Sequence, residues 1–347
     1  MIRLSRLRYL LGAGALIAGA SMAEQLPTPR LAPDLASADE PLTVGERGDF
    51  SVLTYNVAGL PWPLAKKDAS ALQAIGARLA RMRAAGTAPS VVVLQEAFSP
   101  EAKAIGARAG YPYAVEGPYL RASAWSGAGE ARSWLLGEAA GTPAGSGLVV
   151  LSDLPVLDVR RAAFPDGACA GFDCLAAKGL VLVTLRLPGG GRVMVADTHF
   201  NSNRASGAPE RALVAYRRQA AFMARYVATN RVEEMPAVIA GDFNEGRRPP
   251  RVAALQSALA RLADGPRHDA LRGYMAERPG AFVHAQDAQT IVRRARDMQF
   301  VLDGTAARLI PVGTAIPFGT EADGSMLSDH IGYTMHYRYA VGPDSSN

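Results

Sequence analysis

Short apolar, β-branched runs alternate along this chain with stretches of helical period. Ser51 to Tyr55, Val91 to Leu94, Gly147 to Leu151, Leu180 to Leu185, Arg192 to Ala196, Ala237 to Ala240 and Phe300 to Leu302 are each bounded by turn residues, which predicts strands. Ile331, Tyr333, Met335 and Tyr337 alternate with Gly332, Thr334, His336 and Arg338, so the last strand has one half-exposed face. Between strands, Leu72, Ile75, Leu79 and Met82 recur on one helical side after Asp68, a candidate cap, and the pattern stops at Gly86. Pro209 suits the first turn of another helix, with Leu213, Tyr216, Ala220, Met223 and Val227 inward.

The runs ending at Leu185 and starting at Arg192 are separated by Pro188 and three glycines, a hairpin signal, so the sheets are not wholly parallel. Two packed mixed sheets with helices outside bury both the continuous and the alternating strands, an α/β arrangement.

Charge and composition refine that picture at the edges. Arg3, Arg6 and Arg8 precede an apolar run that ends in Ser21-Met22-Ala23, the grammar of an export signal over residues 1–23; the run is too short to span a bilayer comfortably. Residues 24–47, rich in Pro, Ala and small polar groups, read as a tether, and 48–347 as one folded catalytic domain. A periplasmic or secreted protein is the expectation. In that compartment Cys169 and Cys174 predict a disulfide closing a small surface loop. The formal charge of +5 favours anionic partners, nucleic acid or acidic lipid, without choosing between them. No internal repeat and no obligate protein partner is evident.

Chemistry collects where the strands stop. LTYN ends in Asn56, VVVLQE in Glu96, VMVADTH in His199 and AVIAGDFN in Asp242 and Asn244, while MLSDH delivers Asp329 and His330 just before the last strand. Turns favour Asn and Asp but do not require His or Glu. Hard oxygen ligands suit Mg²⁺, or another divalent cation such as Mn²⁺ or Ca²⁺, and histidines and amides can hold a phosphate. Phosphoryl transfer asks for positioning and charge stabilisation more than for a protein nucleophile, so water can attack.

The motifs TYN, QE, THF, GDFN, RDMQFV and SDH, in this order over about residues 49–338, resemble the endonuclease/exonuclease/phosphatase superfamily. The resemblance implies a four-layer α/β sandwich, two packed mixed β-sheets flanked by helices, and a divalent-metal-dependent phosphoesterase. It makes Glu96 the principal metal ligand, with Asn56 beside it and Asp329 supporting the metal or the loop. Asp242 orients or deprotonates the attacking water and Asn244 holds a phosphate oxygen. His199 and His330 contact the phosphate, and Asp297 fixes the imidazole of His330. An aromatic usually follows that aspartate in the family; here Met298 and Gln299 intervene before Phe300.

The segments DCLAAKGLVLVTL, from Asp173 to Leu185, and DMQFVLDG are similar to parts of neutral sphingomyelinases and related bacterial secreted phospholipases. That likeness implies a phospholipid head group as substrate at a membrane surface, with Lys178 binding the phosphodiester. Aromatics from Tyr111 to Trp134 and in Ile316 to Met326 suit a membrane interface, but closure of each loop on itself is the favoured reading. A secreted nuclease is the alternative, with Arg204, Arg211, Arg217, Arg218, Arg247, Arg248 and Arg251 as its basic face. An inositol-phosphate phosphatase is a further alternative within the same fold. A binding module without catalysis is disfavoured, because every catalytic residue type is present. His268, His284 and His336 read as surface or packing residues.

Overall fold

A computed structural model describes residues 47–60, 69–119, 133–139, 141–203, 209–262, 269–282 and 285–342. The expected export signal, the tether up to residue 46, the Asp68 cap, Arg204, His268 and His284 lie outside the described residues. In chain order the strands are β1 (Arg47–Gly59), β2 (Val91–Ala97), β3 (Tyr113–Glu116), β4 (Val149–Ser152), β5 (Val156–Ala163), β6 (Gly179–Arg186), β7 (Arg192–His199), β8 (Ala237–Asp242), β9 (Asp297–Leu302), β10 (Ala307–Phe318) and β11 (Gly332–Val341). The helices are α1 (Ala69–Ala84), α2 (Pro100–Lys103), α3 (Ile105–Ala109), α4 (Pro209–Asn230), α5 (Pro249–Leu259), α6 (Ala270–Ala276) and α7 (Gln286–Arg294).

Two mixed sheets form, ordered β10-β11-β1-β2-β4-β3 and β5-β6-β7-β8-β9. The β1–β2 and β7–β8 pairs are parallel, whereas β6 and β7 make the antiparallel hairpin that the three glycines predict. Strand alternation divides the apolar side chains into three cores. Val52, Val91, Val93, Val195, Val238, Tyr333 and Tyr337 fill the seam between the sheets. Leu53, Tyr55, Val92 and Leu94 point the other way and meet Leu72, Ile75 and Leu79 of α1. On the far side Leu182, Met194, Ile239 and Phe300 pack under Tyr216, Ala220, Met223 and Val227 of α4. The order is therefore helix, sheet, sheet, helix. Truncating a fully buried side chain such as Ile75 to Ala costs about 2–5 kcal/mol.

Three strands escaped the sequence reading: β3, β5 and β10. Their patterns lack clean alternation, as in the half-buried edge strand β5. Two of them bear on the aromatic loops, where burial agrees with closure of the loops on the protein itself. Ile316 to Phe318 ends β10, and Phe318 is buried and stacked on Tyr55 with ring centroids 4.8 Å apart. Tyr111 is buried with its hydroxyl donating to Pro89 O, and Tyr113 opens β3. Trp134 and Leu135 do stay open, at 64% and 62% exposure. No helix of the described residues is long and apolar enough to cross a membrane.

Near the end of β8 Gly241 takes φ +141°, and a Cβ there would stand 2.0 Å from Thr198 O on β7. Any side chain would push the parallel β7–β8 pair apart. The pair stays flush to its last rung, His199 opposite Asp242.

Candidate active site

Period two sends Asn56, Gln95, Asp197, His199, Asp242, Asp297 and Gln299 toward the seam, so the strand ends form a polar floor at one end of an apolar interior. Glu96 breaks the alternation. It follows Gln95 and would face α1, but its backbone leaves the extended region at φ +55°. Its carboxylate meets Asn56 instead, whose Nδ2 donates to Glu96 Oε1 at 3.1 Å and to Asp242 Oδ2 at 3.1 Å. The oxygen of Asn56 accepts from Ala58 N at 3.0 Å. A left-handed glutamate costs about 1–3 kcal/mol, a strain that clusters at functional sites.

Asp242 is buried at the centre. Its Oδ1 accepts from Asn244 N at 2.9 Å, while Oδ2 lies 3.5 Å from His199 Nε2 and 3.8 Å from His330 Nε2. Burial pushes its carboxyl up to about 6, against the pull of the His330 cation. Phe243 turns into the helix-side core, as alternation requires. Asn244 sits at φ +48° and donates from Nδ2 to Phe200 O at 3.0 Å.

The histidines differ. Asp297 accepts from His330 Nδ1 at 2.8 Å. Burial would discharge that ring, but Asp297, Asp242 and Glu96 outweigh it and lift it to about 10. His199 is driven well below the ordinary range by burial, by Lys178 and by His330. Its Nε2 faces Lys178 Nζ at 3.1 Å, and its Nδ1 has no hydrogen-bond partner. With the ammonium as donor, Nε2 is the acceptor and the ring proton sits on Nδ1.

Lys178 is buried and joins this group, with Asp173 Oδ1 at 2.6 Å and Phe200 O at 3.3 Å. The disulfide between Cys169 and Cys174 is formed and brackets Asp173; Cys174 is buried rather than at the surface. Asp329 is exposed on the segment before β11, and its carbonyl accepts from Arg294. Asp242, Asp297 and His330 have ligand atoms within 4.8 Å of one another. A protonated His330 already bound to Asp297 suits that trio to proton donation better than to a cation.

Arg251 was read from the sequence as part of an open basic face and is instead fully buried. Its Nη1 donates to Asn201 O at 2.8 Å and Asn244 O at 2.7 Å, and its guanidinium lies 4.5 Å from the Tyr216 ring centroid. It staples the exits of β7 and β8. Only its place seven residues after Asn244 hinted at this. Arg211, another of that set, pairs with buried Glu138.

The model of the Endonuclease/Exonuclease/phosphatase family matches residues 53–303. The chain is 30% identical over 221 residues to a sphingomyelinase of Mycobacterium tuberculosis, across 62% of this chain and 37% of that protein. It thus spans little more than a third of that relative. Beta toxin of Staphylococcus aureus, a double mutant with bound magnesium ions, superposes with a TM-score of 0.54 at 17% identity, covering 83% of this chain and 99% of the toxin. Sphingomyelinase C of Streptomyces griseocarneus gives 0.53 at 24% identity, over 83% and 99%. D. rerio TDP2 complexed with a single-strand DNA product gives 0.54 at 16%, over 83% and 98%. At these identities the solved structures share the fold.

Proposed function

We propose that this chain, which belongs to the endonuclease/exonuclease/phosphatase family of phosphoester hydrolases, is a metal-dependent phosphodiesterase that releases a phospholipid head group. The observation that carries the lipid reading is Lys178, buried between Asp173 and His199 beside Asp242 in the AAKG segment. Its ammonium is a point charge at the floor of the site, suited to an anionic diester. The sphingomyelinase relative supports the same substrate class.

The donor set fits a hard cation. Glu96 keeps 22% of its side chain exposed while its neighbours are buried, and a carboxylate with an adjacent amide suits Mg²⁺. Glu96 would hold the ion, with Asn56 aligning the carboxylate. A bound cation offsets charge on the phosphate and on its transition state. Asp242 orients the attacking water and takes its proton. His330, kept charged by Asp297, donates toward the phosphate, Asn244 holds one of its oxygens, and His199, whose Nε2 accepts from Lys178, steadies that ammonium beside it. Asp329 stiffens the loop that carries His330. The export signal read at 1–23 would deliver the enzyme to the periplasm or beyond.

The test sets the full chain on sphingomyelin vesicles and on plasmid DNA, each with Mg²⁺ or chelator. Chelator-sensitive phosphocholine release with intact plasmid is the expected result. Nicked plasmid beside untouched vesicles would sink the lipid reading.

A further inference from the structure

Behind the site, Gln95 of β2 reaches across the seam to Asp197 of β7, its Nε2 donating to Asp197 Oδ1 at 2.7 Å. Both side chains are wholly buried. The same amide nitrogen lies 3.3 Å from Val93 O. Two atoms of the pair have no partner: Asp197 Oδ2 and Gln95 Oε1. They are the second oxygen of that carboxyl and the oxygen of that amide. If Asp197 were ionised, both would be stranded acceptors with no donor between them. Each such orphan costs about 1–3 kcal/mol.

One proton removes both defects. A carboxylic acid facing a primary amide closes a ring of two parallel hydrogen bonds: the amide donates to one carboxyl oxygen, and the hydroxyl on the other donates to the amide oxygen. We propose that Asp197 is a neutral acid joined to Gln95 by this two-bond clasp, and that the pair positions the residues beside it. Gln95 immediately precedes the left-handed Glu96, and Asp197 lies two residues before His199. The clasp therefore fixes β2 against β7 where one carries the proposed metal ligand and the other the His199 ring that meets the Lys178 ammonium. Surroundings agree: in the sheet Asp197 stands opposite Val181 of β6 and Ala240 of β8, both buried. Burial pushes its carboxyl well up, against hydrogen bonds from Gln95 and Thr198 that favour the ion.

Infrared difference spectroscopy of the full chain at neutral pH, wild type minus Asp197→Asn, should show the carbonyl band of one protonated carboxyl. Its absence would mean an ionised Asp197, and would overturn the clasp. Asn can form the same ring with Gln95 as an amide pair. Asp197→Asn should therefore keep Mg²⁺ affinity by calorimetry and hydrolysis of bis(p-nitrophenyl) phosphate close to wild type. Asp197→Leu, which removes both bonds and leaves no charge, should lower both about 10–100-fold. An Asn variant as impaired as the Leu variant would also overturn the proposal. The binding and activity arms rest on the roles proposed above for Glu96 and His199. The infrared arm does not, so the two can fail separately.

Discussion

On one side of Asp242, His330 Nε2 stands 3.8 Å from the carboxylate while Asp297 holds its other nitrogen at 2.8 Å. On the other side His199 Nε2 stands 3.5 Å away and meets a lysine ammonium at 3.1 Å. Both rings are buried, and burial alone would discharge both. Acidic neighbours reverse that outcome on the β9–β11 side, lifting His330 to about 10, while cations deepen it on the β6–β7 side for His199. The difference teaches that second partners, Asp297 and Lys178, divide the labour: a charged donor on one flank and a neutral ring on the other.

The most direct break in the comparison is at its centre. Asp242→Asn should lower turnover about 10²–10⁴-fold with the thermal midpoint kept; a folded variant that still turns over would remove that acid from the chemistry. Next comes Asp297→Asn, with a loss of about 10–100-fold. His330 must be protonated to donate, so the alkaline limb of the rate profile should move from near 10 toward the ordinary histidine range. An unmoved limb would mean that His330 is not the donor. Lys178→Met sharpens the other flank: the His199 ring should titrate higher in proton NMR, with a smaller loss of rate than Asp297→Asn. No change in that titration would refute the pairing.

An effect on stability rather than on rate lies away from both histidines. Asp269, which accepts from Gln299 N at 2.8 Å and lies near the Tyr333 hydroxyl, is raised by burial from 3.8 to about 6. Between those values the folded state binds more protons than the unfolded one. Its contribution is complete below about 3.8 and fades as pH rises through about 6. Relative to Asp269→Asn, wild-type stability should fall by about 3 kcal/mol across that window. Parallel denaturation curves of the two proteins would contradict the shift.

Strand-end chemistry was the most legible part of the chain. Asn56, Glu96, His199, Asp242 and Asn244 stand out because polar groups abut apolar runs, and they do converge. The hairpin and the α4 stripe were readable for the same reason, a clean period. What stayed hidden depended on partners far along the chain. Arg251 reads as one more surface arginine until α5 folds against the exits of β7 and β8, and its two carbonyl acceptors belong to backbone that no side-chain pattern announces. Phe318 looked like a loop aromatic because the ring it stacks on, Tyr55, lies far upstream. Glu96 owes its place to a backbone angle that composition does not encode.

The pairing of β1 with β11 joins the first described strand to the last. The five-stranded sheet takes its strands in unbroken chain order, whereas the six-stranded one waits for the final strand before β1 has both neighbours. Such long-range closure comes late and slowly. A chain still emerging from the ribosome can therefore assemble His199 and Asp242, but it lacks the His330 side until the segment leading into β11 is made. The two flanks of Asp242 thus come from opposite sides of it in the order in which the chain is made.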